Sequence, residues 1–217
     1  MKKLIIALLL FNLWSCKKVI QVNEEVTGAG EIVISGEILN YDLNDSISTI
    51  AMYSYDRILN QDSYDFDIDP SGRFEARFSI SHQQDINLYY KNWLTLILKP
   101  GDSLKLTFNG AHKDKEELYT SAIISGNAEQ INNHLFSFLK SDDYKTVYYD
   151  RIRTIDPEGY ITYHDSLFGA RNAYIDNFIT THPKIDTALE DWLVIERELA
   201  PAQYLLEFPL NYRMFNP

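Results

Sequence analysis

SYDFDIDPSGRFEARFSI, residues 63–80, sets Asp65, Asp67 and Asp69 at every second position and follows them with Gly72. That spacing fits either a calcium loop or a β-hairpin. A loop of the EF-hand type needs carboxylates at its positions 1, 3 and 5, glycine at 6 and a bidentate glutamate at 12. Counted from Asp65, position 6 is Pro70 and position 12 is Ala76, so both the left-handed turn and the bidentate ligand are missing. In the hairpin, Pro70-Ser71-Gly72 forms a three-residue loop, a type I turn followed by glycine in the left-handed region. Asp69 then opposes Arg73, Ile68 opposes Phe74, Phe66 opposes Ala76 and Asp65 opposes Arg77. Apolar residues fall on one face and charges on the other. Asp67 opposite Glu75 is one like-charged pair, with arginines on its diagonals. The expectation is a hairpin with a solvated acidic face and no metal site.

Neighbouring segments carry the same period of two. EIVISGEIL (31–39) alternates around Gly36, a candidate bulge. SISTIAMYSYD, DINLYY, LTLIL and SLKLTF follow, separated by turn residues, and Pro100-Gly101 suits the centre of a type II turn. Six or seven short strands between Glu31 and about Ile124 predict an antiparallel sandwich or barrel.

Near residue 125 the period lengthens to about 3.6. Asn127 is placed to cap a helix, with Gln130 three residues on and Ile131, Leu135 and Phe138 on one face. Asp156-Pro157 opens a second helix whose face is Ile161, Phe168, Ile175 and Phe178, ended by Pro183. A third begins near Asp186 and presents Leu189, Trp192, Ile195 and Leu199, with Pro201 kinking or restarting it. The predicted class is α+β: an antiparallel β-domain over 31–124, sandwich or barrel-like, followed by an α-helical segment over 125–217.

The N-terminus, MKKLIIALLLFNLWSC, has two lysines, an apolar run from Leu4 to Trp14, then Ser15-Cys16. The run falls short of the roughly 20 residues a bilayer span needs and suits a signal peptide over 1–15. Leu13-Trp14-Ser15-Cys16 resembles a bacterial lipobox, in which the cysteine becomes the first residue and is acylated. Trp14 is bulkier than the usual residue there, and an ordinary leader with a chance cysteine is the competing reading. Cys16 is the only cysteine of the 217 residues, so acylation would leave no thiol for a disulfide, a metal or a nucleophile. Residues 16–30 read as a lipidated tether that holds a soluble body to a membrane.

The whole chain carries 31 acidic and 20 basic residues, a net charge of −11. Losing Lys2 and Lys3 with the leader would leave 18 basic residues and a net charge of −13. No basic stripe is present, which argues against a nucleic-acid partner.

Nucleophile–base, zinc, phosphate-loop and dinucleotide patterns are also missing. The five histidines show no i, i+4 pair. His164, Asp165 and Ser166 are consecutive, and on a helix they diverge by about 100° each, which makes His164 a helix-surface or boundary residue. Nothing here points to catalysis or to a cofactor. Tyr89, Tyr90 and Trp93 cluster between two strands, where exposed rings could stack on a sugar or peptide. The competing reading is plain alternation between core and rim.

Taken together, the lipobox, FDIDPSGRFEARFSI, LILKPGDSLKLTF, ISGNAEQINNHLFSFL and the later W…LAPAQYLLEFP resemble the N-terminal region of TlpA-like thioredoxin lipoproteins of Bacteroidetes, over roughly residues 30–209. In that family a β-domain and a helical segment precede a thioredoxin domain whose Cys-x-x-Cys exchanges disulfides outside the cytoplasm. No Cys-x-x-Cys occurs here, so no family active-site residue carries over. The resemblance implies a redox-inert, membrane-anchored accessory module that positions a thioredoxin domain or its client. It also implies that the chain is truncated or split before that domain, or that the module stands alone. Lys17-Lys18 after the cysteine, with Glu24-Glu25 only later, suggest an anchor facing the periplasm. The alternative function is a cell-envelope lipoprotein that binds glycan or peptide through the aromatic cluster.

Overall fold

The structure, a computed structural model, describes residues 29–44, 46–55, 61–140 and 154–215. The leader and most of the tether predicted from the sequence, including Cys16, lie outside the described residues.

Among the described residues eight strands form two sheets. They are β1 (Gly30–Leu39), β2 (Thr49–Tyr55), β3 (Gln61–Asp67), β4 (Arg73–Ile80), β5 (Gln84–Tyr90), β6 (Asn92–Leu98), β7 (Ser103–Asn109) and β8 (Ile123–Gly126). One sheet has the order β4-β1-β7-β8 and the other β3-β2-β5-β6. All pairings are antiparallel except β1 with β7, which is parallel. The α+β class is as expected from the sequence, and the β-domain is two open sheets with no closed barrel.

Alternation places the inner faces as predicted. In β4, Phe74, Ala76, Phe78 and Ile80 are buried while Arg73, Glu75, Arg77 and Ser79 face water. Ile32, Ile34, Ile50, Met52, Leu88, Leu94 and Leu106 meet them in one core. Each such side chain contributes about 1.5–3 kcal/mol on leaving water.

The hairpin expectation is half corrected. Its turn forms: Gly72 adopts φ +82°, its N–H donates to the Asp69 carbonyl at 2.9 Å, and Asp69 N–H donates to the Arg73 carbonyl at 2.8 Å. The strands on either side do not pair with each other. β3 pairs with β2 and β4 with β1, so the segment crosses from one sheet to the other. Phe66 opposes Ile50 and Ala76 opposes Ile34, while Asp67 opposes Thr49 and Glu75 opposes Ser35. Both strands still turn the same residues inward, because each sheet offers an inner face to the shared core. Gly36 is likewise no bulge. It pairs in register with Phe74, and a Cβ there would lie 2.0 Å from the Phe74 ring.

Five helices are described: α1 (Lys115–Ser121), α2 (Glu129–Leu139), α3 (Pro157–Thr181), α4 (Thr187–Glu198) and α5 (Ala200–Phe215). The sequence reading missed α1, whose cap is local: Asp114 Oδ1 accepts from Glu117 N–H, and Glu117 Oε2 accepts from Lys113 N–H. Asp156 caps α3 as predicted, accepting from Gly159 N–H at 2.6 Å, with Pro157 in the first turn. Asn127 does not cap α2. Its side chain accepts instead from Ser103 N–H at 2.8 Å, across to β7, and Ala128 occupies the cap position without a side-chain bond.

The helices close one edge of the second sheet. Asn132 is fully buried, and its amide accepts from Ile97 N–H at 2.8 Å and donates to the Ile97 carbonyl at 3.0 Å. Two residues away, Tyr119 Oη accepts from Thr95 N–H at 2.9 Å. Outward-facing backbone groups of β6 thus find side chains in place of another strand. Beyond α2, Phe138 packs against Tyr174, Phe178 and Trp192, joining α2 to α3 and α4. A smaller cluster of Tyr160, Leu167, Phe168 and Phe208 holds α5 against α3.

Candidate functional site

Trp93, 48% exposed, lies on the outer face of the second sheet beside Tyr89, 37% exposed. The register lines up Asp65, Ala51, Tyr89 and Trp93 across β3, β2, β5 and β6. The next outward row is Ser63, Tyr53, Asn87 and Thr95. Trp93 contacts both tyrosines, with centroids 4.8 Å from Tyr89 and 5.2 Å from Tyr53 and tilts of 51° and 58°. The three rings therefore form a packed trio, not a flat platform.

Tyr90 is corrected. It is 1% exposed, packs between Phe108 and Tyr41, and faces the core. Adjacent residues of a strand point to opposite faces, so Tyr89 and Tyr90 cannot serve one surface. The third ring is Tyr53, brought in by pairing β2 with β5, a non-local contact.

Polar groups beside the trio are tied together. Thr95 Oγ1 donates to Asn87 Oδ1 at 2.9 Å, and Asn87 Nδ2 reaches Asp85 Oδ2 at 3.5 Å. Burial raises the Asp85 carboxyl above the usual range, opposed in part by its own backbone N–H and by Asn87. Asp65, Asp67 and Asp69 are exposed. Asp69 belongs to the turn: hydrogen bonds from the Ser71 hydroxyl and the Arg73 and Ser71 N–H groups hold its carboxyl below the ordinary value.

A second surface lies on the helices. Leu206, Leu210 and Met214 of α5 are exposed at four-residue spacing, preceded by Ile195 and Leu199. Ile161, Ile195 and Leu199, expected on buried helix faces, point to solvent. The buried residues of α4 are Leu189 and Leu193, with Trp192 half-buried. At 100° per residue, Leu206, Leu210 and Met214 span about 80° of α5. Glu207 and Arg213 are the only charged residues of that helix.

The remaining polar groups are structural ties. His164 is buried, not a boundary residue, and its Nε2 donates to the Pro201 carbonyl at 2.9 Å where α5 begins. His164 Nδ1 lies 3.3 Å from Asp165 Oδ1, but the other ring nitrogen is taken by the Pro201 carbonyl and so is not turned to the exposed Ser166. Arg171, also buried, pairs with Glu196 at 2.9 Å and covers the Phe168 ring. Burial lowers the Lys115 pKa nearby; Glu196 raises it and Arg171 adds to the lowering. A polar cavity of about 120 Å³ lies beside Lys99, Asp102 and Asn127. Among the described residues no three His, Cys, Asp or Glu side chains converge as a metal site, and no helix is long and apolar enough to cross a membrane.

No protein-family model matches the sequence, and no curated protein is significantly similar to it.

Proposed function

We propose that this protein is a membrane-anchored accessory module of the cell envelope, tethered through Cys16 on the periplasmic side. Its folded body docks a thioredoxin-like domain or that domain's client and performs no thiol chemistry itself. The observation that carries this reading is the apolar ridge of α5. Leu206 is 78% exposed, and Leu210 and Met214 continue it on a helix with two charges among sixteen residues. Exposed apolar area of this kind, contiguous and rimmed by polar residues, marks contact surfaces. With one cysteine in 217 residues, a dithiol couple cannot form within these residues, so exchange chemistry would need cysteines from outside them.

The test is titration of the purified chain against the isolated thioredoxin domain of a TlpA-like lipoprotein, followed by calorimetry. Saturable binding that is lost in a Leu206→Asp/Leu210→Asp variant is the expected outcome. Absence of binding at millimolar concentration, or insulin reduction by the chain alone, defeats the proposal.

A further inference from the structure

Asp102, in the turn between β6 and β7, is 3% exposed. Its N–H donates to the Lys99 carbonyl at 3.1 Å, and its carbonyl accepts from Val33 N–H at 3.0 Å. Oδ2 accepts from Lys99 N–H at 2.9 Å. Oδ1 is buried without a hydrogen-bond partner. Buried acceptors are costly to leave open and normally find a partner. Asp102 lines the polar cavity of about 120 Å³ at the end of β6, and Oδ1 is the polar atom it has left for whatever enters there.

The start of α2 lines the same cavity through Asn127, Ala128 and Ile131. Ala128 holds the cap position and makes no side-chain bond, so the first N–H groups of α2 lack a side-chain cap at the positive end of the helix. Asn127 turns its side-chain oxygen to Ser103 N–H at 2.8 Å, which leaves its NH2 group to donate. Lys99, also in the lining, adds a charged donor. Glu129, the acidic residue of this helical turn, is exposed and is not part of the lining. Helix N–H groups, an amide NH2 and an ammonium together suit a carboxylate.

Asp186 joins Asp102 as a second acid of the lining. One of its oxygens accepts from Ala188 N–H at 2.9 Å at the start of α4, leaving the other. Two carboxylates, one with an open buried oxygen, suit an ammonium group. Leu98 and Ile131 add aliphatic surface. A simple cation would use only the acids and a simple anion only the donors, whereas a zwitterion uses both. The volume, about four waters at about 30 Å³ each, limits any side chain to a small one.

We propose that this cavity binds a free α-amino acid with a small apolar side chain. Its ammonium group bonds Asp102 Oδ1 and Asp186, and its carboxylate lies at the start of α2 beside Lys99. The site is separate from the α5 ridge and stands or falls independently of the docking reading.

The full chain in detergent solution is titrated with L-alanine, followed by calorimetry and by the amide resonances of Lys99, Asn127 and Gln130. Parallel titrations use ethylamine, which lacks the carboxylate, propionate, which lacks the ammonium, and L-phenylalanine, which is too large. The expected result is saturable binding of L-alanine with a dissociation constant below about 1 mM, and binding at least tenfold weaker for the other three. Asp102→Asn keeps an oxygen for Lys99 N–H and sets an NH2 where Oδ1 was. It should weaken L-alanine binding at least tenfold while leaving the thermal midpoint within a few degrees. Should that variant fail to fold, Asp186→Asn decides, since asparagine still caps α4; its expected loss is several-fold. No response to L-alanine at about 10 mM overturns the assignment. So does equal binding of ethylamine, propionate or L-phenylalanine, or undiminished binding by a folded Asp102→Asn or Asp186→Asn variant.

Discussion

Replacing Asn132 by alanine should unhook the helices from the second sheet. The Asn132 amide makes three side-chain hydrogen bonds: from Ile97 N–H at 2.8 Å, to the Ile97 carbonyl at 3.0 Å and to the Ala128 carbonyl at 2.9 Å. Asn132 is fully buried and Ile97 nearly so, so water has little access to what truncation exposes. Alanine leaves both polar groups of Ile97 without the partner they have now. Each orphaned buried group costs about 1–3 kcal/mol, so the two together set the expected loss at about 2–6 kcal/mol. That is a large share of the 5–15 kcal/mol that stabilises an ordinary domain. Asn132→Asp should do no better: the carboxylate can still accept from Ile97 N–H but faces two carbonyls with no hydrogen to offer, and its charge is buried. Urea unfolding followed by circular dichroism gives the loss, and hydrogen exchange at the Ile97 amide locates it. A cost below about 0.5 kcal/mol, or an Ile97 amide as protected as before, would refute the reasoning.

Three further outcomes follow from local geometry. Gly36→Ala should destabilise by about 1–3 kcal/mol through overpacking, since its Cβ would meet the Phe74 ring at 2.0 Å. Adding Phe74→Leu should recover part of this in the urea midpoint, and a neutral Gly36→Ala contradicts the packing. Asp69 has a carboxyl pKa depressed by the hydrogen bonds of its turn, so its ionised form stabilises the fold. That contribution is complete above the unfolded value of about 4 and is lost as pH falls through the lower folded value. The stability gap between the protein and Asp69→Ala, followed from pH 6 downward, should therefore shrink below about pH 4; a gap that stays constant counts against it. Phe208→Ala removes a ring stacked on Tyr160 at 3.8 Å and 8° and should cost about 3 kcal/mol. The loss should fall on α5 first, so exchange should quicken there while β1 and β7 stay protected. Uniform loss across the chain would mean that α5 is no separate unit.

What could be read from the sequence was whatever neighbours in the chain decide. Asp156-Pro157 is a cap because the acceptor and the N–H it satisfies lie three residues apart. Phe74 to Ile80 turn inward because strand residues alternate, whichever strand lies alongside. For that same reason alternation could not say that β4 pairs with β1 and not with β3. Nothing in the sequence sets Asn132 apart, and its role exists only once β6, 35 residues earlier, is beside it. The cap of α1 was visible in Asp114 and Glu117 but lay inside a run of strand signals. Half of the aromatic site was legible, since Tyr89 and Trp93 flank one tight turn. Their parity already excluded Tyr90, and Tyr53 entered only through the pairing of β2 with β5.

The same contrast between local and distant determinants bears on what the second sheet can do. Its β6 edge is closed by the side chains of Tyr119 and Asn132, which occupy the backbone groups of Thr95 and Ile97. Its other edge, β3, carries Asp65 and Asp67 outward and, among the described residues, pairs only with β2. Acidic side chains on an open edge repel a second copy of the same strand, which protects the chain from edge-to-edge association. The repulsion depends on the sign of the incoming strand's charge. Neutralising Asp65 and Asp67 should therefore admit self-association, read as a concentration-dependent rise in sedimentation coefficient; a variant that stays monomeric at the same concentrations counts against the argument.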